Sequence, residues 1–488
     1  MKDEQLEQLK NEWIVEATIS EIQEKLENKE ITSKELVLIY LSRISEIDQS
    51  GPSINSIIEV NPEALQIAAA LDYERKTKGS RGSLHGIPVV IKDNIDTGDK
   101  MHTSAGSLVL ADSYAQEDGA VVKKLREAGA IILGKTNLTE WANFIAEDMP
   151  TGYSSRGGQT LNPYGQKFIV GGSSAGSGAA IAANLATVSV GTETCGSILS
   201  PASQNSIVGI KPTVGLISRT GIIPISHTQD TAGPMARTVE DAAILLNALQ
   251  GTDDKDPITL SNELLSVDFT EFLKSEGLKG KKIGIARDTY FDELNESQLT
   301  VMNTAIEKLT ELGAEVIDSI VIPSTNEDWD INVLLYEFKA DLEAYLKNVD
   351  STLGVRTLSD VIQRNEQIGE SALKYGQKLF LDSNKTSGTL TDPNYLNSLE
   401  KDYYLARKQG IDAVMEQHQL DAIVFPNNIG ALLPAVAGYP SITVPAGYTN
   451  EGEPVGITFS GLAFSEPALI EIAYSYEQGT KHRVAPKL

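Results

Sequence analysis

Apolar residues recur at Leu36, Ile39, Tyr40 and Ile44, the three-to-four-residue spacing of one helix face. Upstream, Thr18-Ile-Ser-Glu21 and Thr32-Ser-Lys-Glu35 each place a hydroxyl three residues before a glutamate. Such a pair satisfies two backbone amides at a helix start, so residues 14–44 are predicted to form two capped helices whose apolar faces pack on a core. From about residue 84 short β-branched runs alternate with helix-length stretches: a strand at 88–91, a helix near 119–129, and a strand at 130–133. Further runs predict strands at 186–190, 283–286, 314–317, 422–425, 441–444 and 455–459. This alternation is the pattern of an α/β sheet. The stretch 250–420 is more charged and mostly helical in pattern, with 332–347 its clearest amphipathic segment. It reads as an insertion or lid on a sheet that spans both of its sides, which makes 1–488 a single intertwined domain with residues 1–60 packed against it.

Charge changes the picture by exclusion. The chain has 41 basic and 67 acidic residues, a net charge of -26. Such a field repels nucleic acid and anionic membrane surfaces, so neither is an expected partner. Nowhere do about 18 apolar residues run uninterrupted, and the first 13 residues are charged where a signal peptide would be apolar; both point to a cytoplasmic protein. One cysteine, Cys195, rules out an intrachain disulfide. The five histidines share no close ligand spacing, so no metal and no cofactor are expected.

The segment 168–203, FIVGGSSAGSGAAIAANLATVSVGTETCGSILSPAS, is rich in Gly, Ser and Ala and poor in charge. Small residues let main-chain N–H groups face a substrate. A phosphate loop would need a lysine that does not occur between Lys167 and Lys211. Gly172-Ser-Ser174-Ala-Gly176 does fit a nucleophile elbow, with Ser174 as nucleophile. That reading needs a downstream histidine, for which only His418 and His482 are available, neither in a distinctive setting.

At HGIPVVIKDNID (85–96), GKTNLTEWAN (134–143), GGSSAGSG (171–178) and GTETCGSILSPAS (191–203) the chain resembles the amidase signature family. The likeness continues through VGIKPTVGLISRTGIIPIS (208–226) and QDTAGPMARTVEDAA (229–243), and more weakly in AVAGYPSITVPAG (435–447). These ordered blocks cover most of the chain outside 250–420. The resemblance implies an α/β fold built on one large mixed β-sheet with helices on both faces, the 250–420 region shaping the substrate site. It places the family's lysine on Lys92, its bridging serine on Ser173 after a cis peptide, and its nucleophile on Ser197. A serine hydroxyl needs a base, so the implied relay runs from Ser197 through Ser173 to a neutral Lys92. Burial beside 88–91 would have to bring that lysine from about 10.4 towards about 7–8. The oxyanion hole falls on the backbone N–H groups of Thr194, Cys195, Gly196 and Ser197.

Two positions depart from the family pattern: Cys195 stands where glycine is usual, and Leu199 where many members carry arginine, a partner for Glu193. Cys195 could itself be considered as nucleophile, but no histidine lies near it in sequence. Within the family, GTET and LLYEFKADLEAYL (334–346) resemble bacterial peptide-amidase-like members. The expected activity is hydrolysis of a small-molecule or peptidyl amide by a monomer or homodimer. The alternatives are the glutamine-hydrolysing A subunit of a glutamyl-tRNA(Gln) amidotransferase, against which the short, uncharged NNIGALLP (427–434) argues, and a non-catalytic binding protein on the same scaffold.

Overall fold

β-Branched runs build the centre of the molecule. The computed structural model describes residues 4–488, so the first three residues of the charged amino-terminal run lie outside the described residues. Eleven strands join in one sheet: β1 (Ile57–Val60), β2 (Pro88–Lys92), β3 (Ile131–Thr136), β4 (Val188–Glu193), β5 (Val208–Lys211), β6 (Thr231–Ala236), β7 (Lys282–Ile285), β8 (Glu315–Asp318), β9 (Ala422–Pro426), β10 (Ser441–Tyr448) and β11 (Pro454–Ser460). Their spatial order is β1-β3-β2-β4-β6-β5-β10-β11-β9-β7-β8. Pairing is parallel for β3-β2-β4 and β9-β7-β8 and antiparallel elsewhere, a mixed sheet. Strands β2 to β6 are buried along their whole length. Helices cover both faces, so apolar residues run on without the alternation of a half-exposed strand.

Both predicted capping boxes form, at the starts of α1 (Ile19–Glu27) and α2 (Ser33–Arg43). The later helices include α3 (Ala120–Glu127), α4 (Ala175–Ala182), α5 (Leu199–Gln204) and α6 (Asn332–Leu346). Eight strands match predicted runs to within a few residues; β1, β5 and β6 were not predicted. The region 250–420 contributes β7 and β8 to one edge of the sheet.

Helix α6 is fastened along two faces. Phe338, Leu342 and Leu346 enter a second apolar cluster with Trp141, Phe144 and Phe380. On another face, Glu337, Asp341 and Tyr345 follow at four-residue intervals and bind the body of the protein. Glu337 accepts the Ser226 hydroxyl at 2.5 Å and the Tyr395 hydroxyl at 2.8 Å. Asp341 accepts the His227 N–H at 2.8 Å, and the Tyr345 hydroxyl donates to Asp96 at 2.7 Å.

Candidate active site

Lys92 is the last residue of β2, held between parallel neighbours β3 and β4. Ligands of α/β sheets bind beyond such carboxyl ends. The lysine is 0% exposed and has no ion pair within 4.0 Å among the described residues. Its Nζ lies 2.7 Å from Ser173 Oγ, 3.1 Å from Thr192 O and 2.9 Å from Thr192 Oγ1. Burial pushes its pKa down to about 7, against smaller opposing pulls from Asp230 and Glu193. A solvated surface lysine is thereby excluded, and burial brings its titration near neutrality.

Ser173 sits in the turn before α4, after a cis Gly172–Ser173 peptide. The next residue, Ser174, donates its N–H to the Ser197 carbonyl at 3.1 Å, which brings the two serine turns together. The Ser197 hydroxyl itself has no hydrogen-bond partner among the described residues. Of the three residues proposed for the relay, Lys92 and Ser173 are therefore joined directly, and Ser197 adjoins them through its backbone.

Glu193, at the end of β4, organises the turn that carries Ser197. Its carboxylate accepts the N–H groups of Gly196 at 2.8 Å, Ile198 at 2.7 Å and Leu199 at 3.0 Å. Burial raises its pKa; Lys211 and these three donors oppose the rise. The carboxylate thus needs no arginine at 199. Gly196 reaches this arrangement at φ +77°, a conformation glycine adopts without strain. One of the four expected oxyanion donors is corrected by this geometry: the Gly196 amide is already bonded to Glu193. The amides of Thr194, Cys195 and Ser197 have no acceptor among the described residues.

The competing nucleophiles fare differently. Ser174 is fully buried; its hydroxyl donates to Thr192 O at 3.0 Å and accepts the Thr192 N–H at 3.2 Å, and no histidine among the described residues bonds to it. Cys195 is exposed, yet the surrounding chain desolvates its thiol and, with Glu193, pushes its pKa up to about 12. It is a poor thiolate.

A cleft of about 650 Å³ opens beside these residues, bounded by Asn94, Thr192 and Thr194 on the sheet side and by Asp341 and Tyr345 of α6. Its lining ends at Thr194, short of the two serines. Sequence reasoning had assigned no role to Thr192, Asn94 or Asp230. Asn94 donates to Thr192 Oγ1 at 3.0 Å, and Asp230 accepts the Thr194 hydroxyl at 2.5 Å. All three lie inside recognisable blocks, but nothing in the chain signals which block ends converge. At the edge of the cleft lies a grouping that linear spacing could not reveal: His227, buried Glu337 and Asp341 offer ligand atoms within 4.8 Å of one another. The imidazole lies between the two carboxylates, with Nδ1 2.8 Å from Asp341 and Nε2 3.4 Å from Glu337. The Asp341 hydrogen bond raises its pKa most, which favours an imidazolium over a free metal ligand.

A buried lysine against a serine, at the carboxyl end of central parallel strands and beside free backbone amides, is equipment for acyl transfer. The family model described as Amidase matches residues 35–470, and the chain belongs to the amidase signature family. It is an enzyme that hydrolyses amides. An Arabidopsis thaliana chain carrying the name probable amidase is 45% identical over 487 residues, covering 97% of this chain and 92% of that one. The structure of native peptide amidase from Stenotrophomonas maltophilia superposes with a TM-score of 0.92 at 44% identity, over 97% of this chain and 98% of that one. The glutamyl-tRNA(Gln) amidotransferase A subunit from Gloeothece citriformis is more distant, 33% identical over 506 residues that cover 97% of this chain and 99% of that one.

Proposed function

We propose that the protein hydrolyses the C–N bond of a small or peptidyl carboxamide to a carboxylic acid and ammonia or an amine, through an acyl-enzyme on Ser197. The observation that carries this reading is the 2.7 Å contact between Lys92 Nζ and Ser173 Oγ in a site closed to solvent. Thr192 O can only accept, so it takes one lysine N–H, and Thr192 Oγ1 accepts another. A neutral amine then has only its lone pair left, directed at the Ser173 hydroxyl. In the proposed first step Ser173 passes its proton to Lys92 and takes the proton of Ser197, whose Oγ bonds to the amide carbon. The developing oxyanion is held by the amides of Thr194, Cys195 and Ser197, with Gly196 fixing their turn through Glu193. Each such donor is typically worth about 10²–10³ in rate. The C–N bond breaks as the proton returns through Ser173 to the leaving nitrogen. Water then adds to the acyl carbon by the same relay, releasing the acid and restoring Ser197.

The reading includes a metal-independent, cytoplasmic enzyme acting as a monomer or homodimer; the net charge of -26 supports its lack of nucleic-acid and anionic-membrane partners. The peptidyl class is favoured by likeness to the peptide amidase. The amidotransferase reading has less support, since relatives of that name are the more distant ones. A fluorophosphonate probe followed by peptide mapping tests the site: label on Ser197, lost together with all amide hydrolysis in Ser197→Ala, is expected. Full activity in Ser197→Ala refutes the assignment. A glutaminase assay with and without candidate partner subunits separates the amidotransferase reading.

A further inference from the structure

The cleft beside Thr192 is lined by carboxylates whose pairing is uneven. Asp118 is bonded to Arg126, Glu117 to Lys123, Asp256 to Arg219, and Asp341 to His227. Asp96 and Asp230 line the same cleft with no cationic group within 4.0 Å among the described residues; Asp96 has the Tyr345 hydroxyl, and Asp230 the Thr194 hydroxyl and the amides of Ile225 and Ser226. The cations nearest them are consumed: Arg219, which acts on Asp230, donates its guanidinium to both oxygens of Asp256 and to the His227 carbonyl, and buried Lys135, which acts on Asp96, donates to Ile95 O, His102 O and Thr103 Oγ1.

A second observation points the same way. Asn94, only 2% exposed, forms part of this wall, and its Nδ2 is spent on Thr192 while its Oδ1 has no donor among the described residues. A buried amide oxygen without a donor is costly unless a ligand supplies one. Apart from the free main-chain amide of Thr194, the side-chain capacity of the wall next to the chemistry is thus acceptor: one neutral oxygen and two carboxylates.

We propose that this wall selects, among carboxamides, those carrying an ammonium group close to the scissile bond, such as amino-acid amides and short peptide amides with a free amino terminus, with Asp96 and Asp230 facing the charge and Asn94 Oδ1 accepting an N–H. This rests on the amidase reading of the neighbouring serines and narrows its substrate class. Burial raises both carboxylates, to about 6 each, so both are charged at pH 7.0, where an α-ammonium, with its pKa of about 7.7–8.0, is also charged.

Binding to the Ser197→Ala chain tests the inference without turnover. Leucinamide, 4-methylpentanamide (the same amide without the amino group) and N-acetylleucinamide are compared by calorimetry at pH 7.0. Leucinamide should bind at least about tenfold tighter than either neutral amide, and Asp96→Asn should bring that ratio down severalfold. Equal or weaker binding of leucinamide, or no binding by any of the three, overturns the proposal. So does a ratio untouched by Asp96→Asn. Should that variant fail to fold, a preference that collapses as salt rises from about 50 to 500 mM is the alternative readout, and a salt-independent one counts against the charge pairing. Fluorophosphonate labelling of the unsubstituted chain reports separately on whether the serine site stands.

Discussion

Replacing Lys92 with methionine should abolish hydrolysis and stabilise the fold at neutral pH. The lysine is lowered from 10.5 to about 7, a shift of about 3.5 units, which at about 1.4 kcal/mol per unit is about 5 kcal/mol against the charged form. Methionine removes that penalty at similar length. It also strips Ser173 Oγ of the one hydrogen bond it makes among the described residues, a cost of about 1–3 kcal/mol. Thr192 O keeps the Ser174 hydroxyl, and Thr192 Oγ1 keeps Asn94, so no second orphan is created. The net gain at pH 7 is then about 2–4 kcal/mol. Between pH 7 and 10.5 the unfolded lysine is protonated and the folded one is not, so the original chain gains stability as pH rises and its deficit closes. The check is urea unfolding of both chains at pH 7 and pH 9. The advantage of Lys92→Met should shrink by about 2 kcal/mol across that interval, since the folded lysine is still half-protonated at pH 7 and every other titrating group is common to both. Two curves that stay parallel from pH 7 to 9 would show that Lys92 titrates normally, and the proposed base would lose its physical footing.

The same shift sets the rate profile: kcat/KM should rise with pH through an acid limb near 7, tenfold per unit below it, as the lysine becomes neutral; a limb near 10 would contradict this. Glu193→Gln offers one acceptor oxygen where the carboxylate serves three amides, so it should cost about 2–3 kcal/mol in unfolding experiments and at least tenfold in kcat, with KM little changed. Cys195, with its pKa near 12, should react with iodoacetamide at pH 7.5 about two orders of magnitude more slowly than free cysteine, once the greater nucleophilicity of a more basic thiolate offsets part of its scarcity. Rapid alkylation, followed by mass spectrometry, would overturn that environment.

How much of this was legible follows from local chemistry. The capping boxes at Thr18 and Thr32 and the β-branched runs of β2, β3 and β9 announce themselves because their signals are contained in a few neighbouring residues. Strand β6, TAGPMA, hides because Gly233 and Pro234 argue against a strand. Gly233 is nevertheless required there: an added Cβ would meet the Ile210 carbonyl at 2.1 Å. The edge strand β1 is only partly buried and short, so its pattern is faint. At the site, Lys92, Ser173 and Ser197 could be named from the order of family blocks. The saturation of Glu193 by main-chain amides could not, since it depends on the path of a turn. Asn94, Asp96 and Asp230 meet only because β2, β4 and β6 are neighbours in space, an order that linear sequence does not encode.

The clamp of Glu193 on Gly196, Ile198 and Leu199 has a consequence for how this turn can vary. Its shape is written in main-chain N–H groups and one carboxylate, so the side chains at 195 and 199 are spared any duty in holding it. Substitution at those two positions can therefore drift, or be selected for a new ligand, without rebuilding the bend that presents Ser197. The cysteine at 195 and the leucine at 199, where the family pattern named from the sequence expects glycine and arginine, are compatible with such freedom.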